Sequence, residues 1–241
     1  MKLKRIRLYI NQNNSIKTKK DINLKKNQLH YLKNVMRCIN GDIITIFDGK
    51  TGEWSAELNL TSNDNPCLTP ISKQKNQTDE ENLDLWLLFC LIKKSRSDLI
   101  IEKAVELGVS NIFPILSSRS QVKDFNISRA RSIMIEAAEQ CGRLTIPQIS
   151  DTNSLKNVLN SWPKDRNLVW GDTDNERSDL TVLNNTGALL VGPEGGFSAE
   201  DKKMLNFYQM CKPIKLGNRV LRSETAAISL LSIWSYINKK I

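Results

Sequence analysis

The chain has 241 residues, 40% hydrophobic and 25% charged, a composition that excludes a disordered or fibrous protein and suffices for two domains with separate cores. Five widely spaced cysteines (Cys38, Cys67, Cys90, Cys141, Cys211) without a C-x-x-C pair and a single histidine, His30, argue against a zinc site or a disulfide framework, so no metal and a reducing compartment are expected. Residues 1–40 hold 11 Lys and Arg against one Asp, a net of +10, while the remaining 201 residues sum to −1, which suits a phosphate-bearing partner and is also compatible with a solvated basic face.

Short β-branched or aromatic segments at 6–10, 43–48 and 54–60, bounded by turn signals at Asn40-Gly41 and Asp48-Gly49, predict a small β-barrel at the N-terminal end. Between residues 62 and 82 the chain is polar and aperiodic, and we expect a domain linker there, with domains at 1–72 and 73–241. From residue 85 onward apolar strands alternate with amphipathic helices. Strands are predicted at 85–92, 111–116, 168–170, 188–191 and 214–216, and helices at 98–107, 128–141, 198–210 and 223–237. Ser198-x-x-Asp201 reads as a capping box with Asp in place of Glu. This alternation predicts a mostly parallel α/β sheet. The apolar run at 85–92 is too short to span a bilayer and residues 1–10 carry charges where a signal peptide needs an apolar region, so a cytoplasmic protein with no membrane partner is expected.

Gly49-Lys50-Thr51 invites comparison with a P-loop, but Ile44 stands where that motif requires its first glycine and a strand follows instead of a helix. No G-x-G-x-x-G follows a strand, so the dinucleotide fingerprint is absent as well. The strongest local signal is the strand 188–191 running into Gly192, Pro193, Glu194, Gly195, Gly196 and a capped helix, where glycines permit close backbone approach to a ligand beyond the strand's carboxyl end. A tight turn without a ligand is the competing reading. A second strand, loop and helix start follows at 214–227, with Arg219 and Arg222 just before a helix N-terminus, where the dipole disfavours cations. These arginines point to an anionic partner, or else pair with acids such as Glu194 or Glu224.

These stretches resemble the SPOUT RNA methyltransferases, and within them the RsmE family, whose signature is similar to Gly-Pro-Glu-Gly-Gly-Phe-Ser at 192–198 and Leu-Gly-Asn-Arg-Val-Leu-Arg-Ser-Glu-Thr-Ala-Ala at 216–227. The likeness extends through Lys93-Lys94, 102–109, Ser118-Arg119-Ser120 and 137–143, and at the N-terminal end through His30, Val35-Met36-Arg37 and Gly41-Asp42, with Met36 where the family more often has Leu. The resemblance implies an α/β SPOUT domain with a deep trefoil knot behind a PUA-like RNA-binding barrel, acting as a homodimer on 16S rRNA of the small ribosomal subunit. It implies S-adenosyl-L-methionine as cofactor and methylation of a uridine at N3. Carried over by position, Gly192, Glu194, Gly195 and Gly196 match the first cofactor loop, and Leu216, Gly217, Val220 and Leu221 the second, with an apolar adenine slot and Thr225 at the helix start. Arg222 is expected to stabilise negative charge on the ring, Arg119 to position a phosphate or the base, and Arg5, Arg7, Lys33 and Arg37 to grip RNA phosphates. Action on another RNA such as tRNA, a non-catalytic RNA-binding scaffold and a small-molecule α/β enzyme are the rivals, the last poorly matched to a +10 stretch.

Overall fold

The computed structural model describes residues 3–12, 14–60, 65–80, 83–120, 122–175 and 179–240. Two compact units are present, Met1–Glu81 together with Ala138–Ile146, and Asn82–Ala137 together with Pro147–Ile241.

The first unit is built on a five-stranded sheet of β1 (Leu3–Tyr9), β2 (Ile22–Asn23), β3 (Ile43–Phe47), β4 (Glu53–Asn59) and β5 (Cys67–Lys75), in the order β1-β3-β4-β5-β2. Helix α1 (Lys26–His30) follows β2 and runs on into a single π-helical turn, Tyr31–Val35. The β1–β3 pair is parallel and the rest antiparallel. Period-two alternation puts Ile6, Leu8, Ile44, Ile46, Ala56 and Leu58 into one core. Both predicted turns carry a glycine at positive φ, Gly41 at 83° and Gly49 at 74°. The Asp48 carboxylate closes the second turn by accepting from the backbone of Lys50 and Thr51 at 2.9 and 2.7 Å.

The stretch 62–82 is not the linker that its polarity suggested. It carries β5, which forms a ladder with β4 along its length, and a boundary between residues 72 and 73 would cut this strand. Only its first half faces the core, where Cys67, Leu68 and Pro70 are buried; from Ile71 to Lys75 the side chains are exposed, so the backbone pairing leaves no apolar signature. Positions 62–64, 81 and 82 of that stretch lie outside the described residues.

The second unit contains β6 (Trp86–Cys90), α2 (Lys94–Glu106), β7 (Asn111–Leu116), most of α3 (Ile127–Cys141), β8 (Gln148–Ile149), β9 (Asn153–Ser154), α4 (Leu155–Asn160), β10 (Leu168–Gly171), β11 (Ala188–Val191), α5 (Ala199–Phe207), β12 (Cys211–Ile214) and α6 (Ser223–Ile237). Its sheet is wholly parallel in the order β12-β10-β11-β6-β7-β8, with β9 on β7. Strands β10 and β11 are buried on both faces, which is why they read as unbroken apolar runs. One face is covered by α4, the segment after it and α5 through Leu155, Leu159, Trp162 and Leu205 against Leu88, Leu168, Trp170 and Leu190, while α2 and α6 pack together with α6 against β11. The last strand, expected at 214–216, is Cys211–Ile214 instead; Lys212 and Pro213 disguise it, and Ile214 is its final buried position. The short elements β8, β9 and α4 escaped the sequence reading, and α5 stops at Phe207 instead of near 210. No helix among the described residues is long and apolar enough to cross a membrane.

Candidate active site

Strands β12, β10 and β11 are neighbours in the sheet and point the same way, so the segments after them emerge side by side. A cavity of about 210 Å³ opens among those segments, lined by Gly171 at the end of β10 and Asp172 after it, Gly192, Gly195 and Gly196 after β11, and Leu216, Gly217 and Leu221 after β12. This is the position at which open α/β sheets take ligands.

Each loop is shaped by local chemistry. Gly192 leaves β11 where a Cβ would meet the Phe197 ring at 3.0–3.3 Å, and that ring is itself fixed edge-on against Trp170 with centroids 5.5 Å apart. Gly196 lies at φ +65° and Gly217 at φ +130°, conformations that side chains rarely adopt. The capping box predicted at Ser198 is present: Ser198 Oγ accepts from the Asp201 amide at 3.1 Å and Asp201 returns the bond. Asp201 also accepts from Ser118 Oγ at 2.9 Å, which fixes the segment bearing Arg119. Arg119 Nη1 donates to the Gly195 carbonyl at 2.7 Å. The first and second loops are joined at their base by Ser223 Oγ, which donates to the Gly192 carbonyl at 2.7 Å.

On the third side Lys202 donates to Asp172 and, at 2.6 Å, to Asp174. Burial lowers the affinity of Lys202 for its proton, but these two carboxylates outweigh that and hold its pKa above the usual lysine range. The hydrogen bond from Lys202 holds the Asp174 carboxyl below the ordinary aspartate value. The cavity therefore has an apolar wall of Val191, Phe197, Ile214, Leu216 and Leu221 facing a polar rim. Among the described residues no group of three or more His, Cys, Asp or Glu could hold a metal ion.

Of the residues singled out in the sequence, Arg119, Gly192, Pro193, Gly195, Gly196, Leu216, Gly217, Arg219 and Leu221 line the cavity. Glu194, Val220, Arg222 and Thr225 do not; Val220 is 80% exposed, so the apolar slot is formed without it. Arg222 is the N-cap residue of α6 with an exposed side chain, between the lining residues Leu221 and Ser223. The suggested pairing of Arg219 or Arg222 with Glu194 or Glu224 is replaced by another: Arg96 of α2 takes Glu194 at 3.0 Å and Glu224 at 3.6 Å. Asp172, Asp174 and Lys202 were missed; the only sequence trace of their place was that the strand at 168–170 ends, like 188–191, in a glycine.

In the first unit Arg5, Lys33 and Arg37 are exposed. Arg7 is not available as they are. Its guanidinium pairs with Glu53 at 2.9 Å, donates to the carbonyls of Ala138 and Arg143 at 2.7 and 3.1 Å, and lies 4.5 Å over the Phe47 ring. It closes the carboxyl end of α3, whose last carbonyls lack helical partners.

A family profile described as an RNA methyltransferase domain matches residues 79–235, and one described as an RNA methyltransferase PUA domain matches residues 24–70. The ribosomal RNA small subunit methyltransferase E of Rickettsia conorii is 31% identical over 233 residues, 94% of this chain and 93% of that protein. The chain belongs to the ribosomal RNA small subunit methyltransferase E family. The family's Bacillus subtilis member is 30% identical over 226 residues, covering 87% of each chain. The crystal structure of the Neisseria gonorrhoeae methyltransferase E bound to S-adenosyl methionine matches with a TM-score of 0.85 and 26% identity, over 97% of this chain and 98% of that one. The Legionella pneumophila protein Lpg2936, in complex with the same cofactor, matches at 0.81 and 27% identity, over 97% and 98%. The two stretches on which the sequence resemblance rests, 192–198 and 216–227, thus supply the loops that bound the cavity on the β11 and β12 sides.

Proposed function

We propose that this protein transfers the methyl group of S-adenosyl-L-methionine to N3 of a uridine in 16S rRNA of the small ribosomal subunit. The observation that carries the reading is the cavity beyond β12, β10 and β11, framed by the loops 192–198 and 215–222 in a chain of the methyltransferase E family.

The residues present suit the cofactor. Leu216, Leu221, Ile214 and Phe197 offer an apolar slot for a purine, the glycines expose backbone donors and acceptors, and the Asp172 and Asp174 carboxylates can accept from hydroxyl or ammonium groups. S-adenosyl-L-methionine supplies a methyl group made electrophilic by its sulfonium sulfur. The protein's task is to align the uracil N3 with that carbon, to let the N3 proton leave and to stabilise the resulting negative charge on the ring. Arg222 sits at the cavity rim between two lining residues with its side chain exposed, and we assign it the charge stabilisation. Arg119 lines the cavity and is assigned to position the base or a phosphate by its planar fork. Glu194 and Glu224 are both engaged by Arg96, which argues against either as a free base. N3 lies on the pairing edge, so the target uridine has to be unpaired or flipped into the site.

The five-stranded first unit, matched by the PUA profile, is read as a barrel-like RNA-binding module in which Arg5, Lys33 and Arg37 grip phosphates. A trefoil knot fits the topology: β12 ends at the sheet edge beyond β10, yet α6 returns to β11 and α2, and Ser223 bonds Gly192 where the two loops pass. Pairing of two copies is supported by apolar side chains left exposed in the second loop and on α6, Val220 at 80% and Tyr236 at 76%.

The test is methyl transfer from labelled cofactor to small ribosomal subunits from a strain lacking the enzyme, followed by nucleoside analysis. Formation of 3-methyluridine is expected. Transfer only to tRNA would redirect the substrate assignment, and absence of cofactor binding would favour a scaffold.

A further inference from the structure

Arg96 belongs to none of the sequence motifs, yet it reaches two acids on separate segments, one in the loop after β11 and one at the start of α6. From the first turn of α2 its Nη1 lies 3.0 Å from Glu194 Oε1, in the loop leaving β11, and its Nε lies 3.6 Å from Glu224 Oε1, in the first turn of α6. The first helical turn is a poor place for a cation, because the helix dipole is positive there, so Arg96 has no local reason for its position. The two carboxylates supply one. Glu224 is 13% exposed and its Oε2 is buried without a hydrogen bond from any described residue, so among the described residues Arg96 is the cation that compensates it. The hydrogen bond from Ser223 to Gly192 ties the same two loops at their base. Arg96 adds a second tie, from Glu194 in the first loop to Glu224 just after the second, and two separate ties fix a spacing that one would leave free to pivot.

We propose that Arg96 is a positioning residue for methyl transfer: by holding Glu194 and Glu224 together it sets the separation of the two cofactor loops without itself touching cofactor or substrate. This rests on the methyltransferase reading above. Arg96 is absent from the lining of the cavity, so its effect has to pass through the loops.

The experiment uses the full-length protein and its Arg96→Gln, Arg96→Lys and Glu194→Gln/Glu224→Gln variants, with calorimetric binding of S-adenosyl-L-methionine and steady-state transfer to ribosomal subunits. Loss of the hydrogen bond to Glu194 and the ion pair to Glu224 that space the loops should raise the cofactor Kd of Arg96→Gln by about 10- to 100-fold. It should raise the cofactor KM in parallel, with a smaller fall in kcat. Arg96→Lys keeps the charge but cannot bridge both acids, and should recover part of the loss. In the Glu194→Gln/Glu224→Gln background Arg96→Gln should change the Kd by less than about twofold, because nothing remains for it to hold. Wild-type affinity in Arg96→Gln, or the same fold loss in both backgrounds, would overturn the proposal. Failure of the unsubstituted protein to bind cofactor would instead sink the functional reading and this inference with it.

Discussion

Gly192→Ala is the substitution whose outcome the structure constrains most tightly. Its φ lies outside the left-handed range, so the backbone accepts alanine; the obstacle is the Phe197 ring, whose carbons would stand 3.0, 3.2 and 3.3 Å from the new Cβ. Relief requires the ring to move, but Phe197 is 5% exposed and abuts Trp170, which is fully buried. Overpacking of this kind costs about 1–3 kcal/mol, and the displaced ring forms part of the cavity wall, so cofactor affinity should fall as well. The neighbouring glycines serve as internal controls. A Cβ at Gly195 would meet only Arg119 Cδ at an ordinary 3.8 Å, so Gly195→Ala should be neutral or stabilising by about 0.5 kcal/mol through the unfolded chain. Gly196 has open space but φ +65°, so Gly196→Ala should cost about 1–2 kcal/mol from backbone strain alone. Denaturant unfolding followed by tryptophan fluorescence reports mainly on the second unit, since Trp86, Trp162, Trp170 and Trp234 lie there. A Gly192→Ala protein as stable as Gly195→Ala, with unaltered cofactor binding, would refute the steric reasoning.

Arg7→Met should destabilise the first unit by about 3 kcal/mol, because among the described residues Glu53 is left buried with only Lys75 at 3.9 Å and the end of α3 loses its donor. Weaker RNA binding at unchanged stability would return Arg7 to the phosphate-contact role. Replacing Arg5, Lys33 and Arg37 together with Ala should leave folding intact and reduce the slope of log K against log salt by about 2 for RNA binding; an unchanged slope would remove them from the interface. A thiol reagent at pH 8 should modify Cys141 quickly and the other four cysteines slowly, since Cys141 is exposed while burial pushes Cys90 up to about 12 and Cys211 up to about 11. More than one fast equivalent per chain would contradict the burial.

What the sequence determined by itself was whatever local periodicity and local chemistry encode. Helix α6 at 223–237, strands β7 and β11 and the capping box at Ser198 were all legible, because each is written in neighbouring residues: apolar spacing, a cap and a breaker. The two glycine-bearing loops of the cavity were legible for the same reason. Tertiary structure decided the rest. Strand β5 is held by its ladder to β4 more than by burial, so its exposed half carried no pattern to read. In β1 Arg7 lies on the face opposite Ile6 and Leu8, and what covers that face comes from residue 138 onward, more than a hundred positions away, so its expected place as a phosphate contact was not correctable from the local sequence. Leu221 and Val220 are adjacent in a loop without periodicity, and only the fold turns one into the cavity and the other to solvent. Arg96 meets Glu194 across 98 residues and Asp172 meets Lys202 across 30, pairings that a parallel sheet creates by bringing the ends of distant strands to one edge, where no local pattern of sequence can announce them.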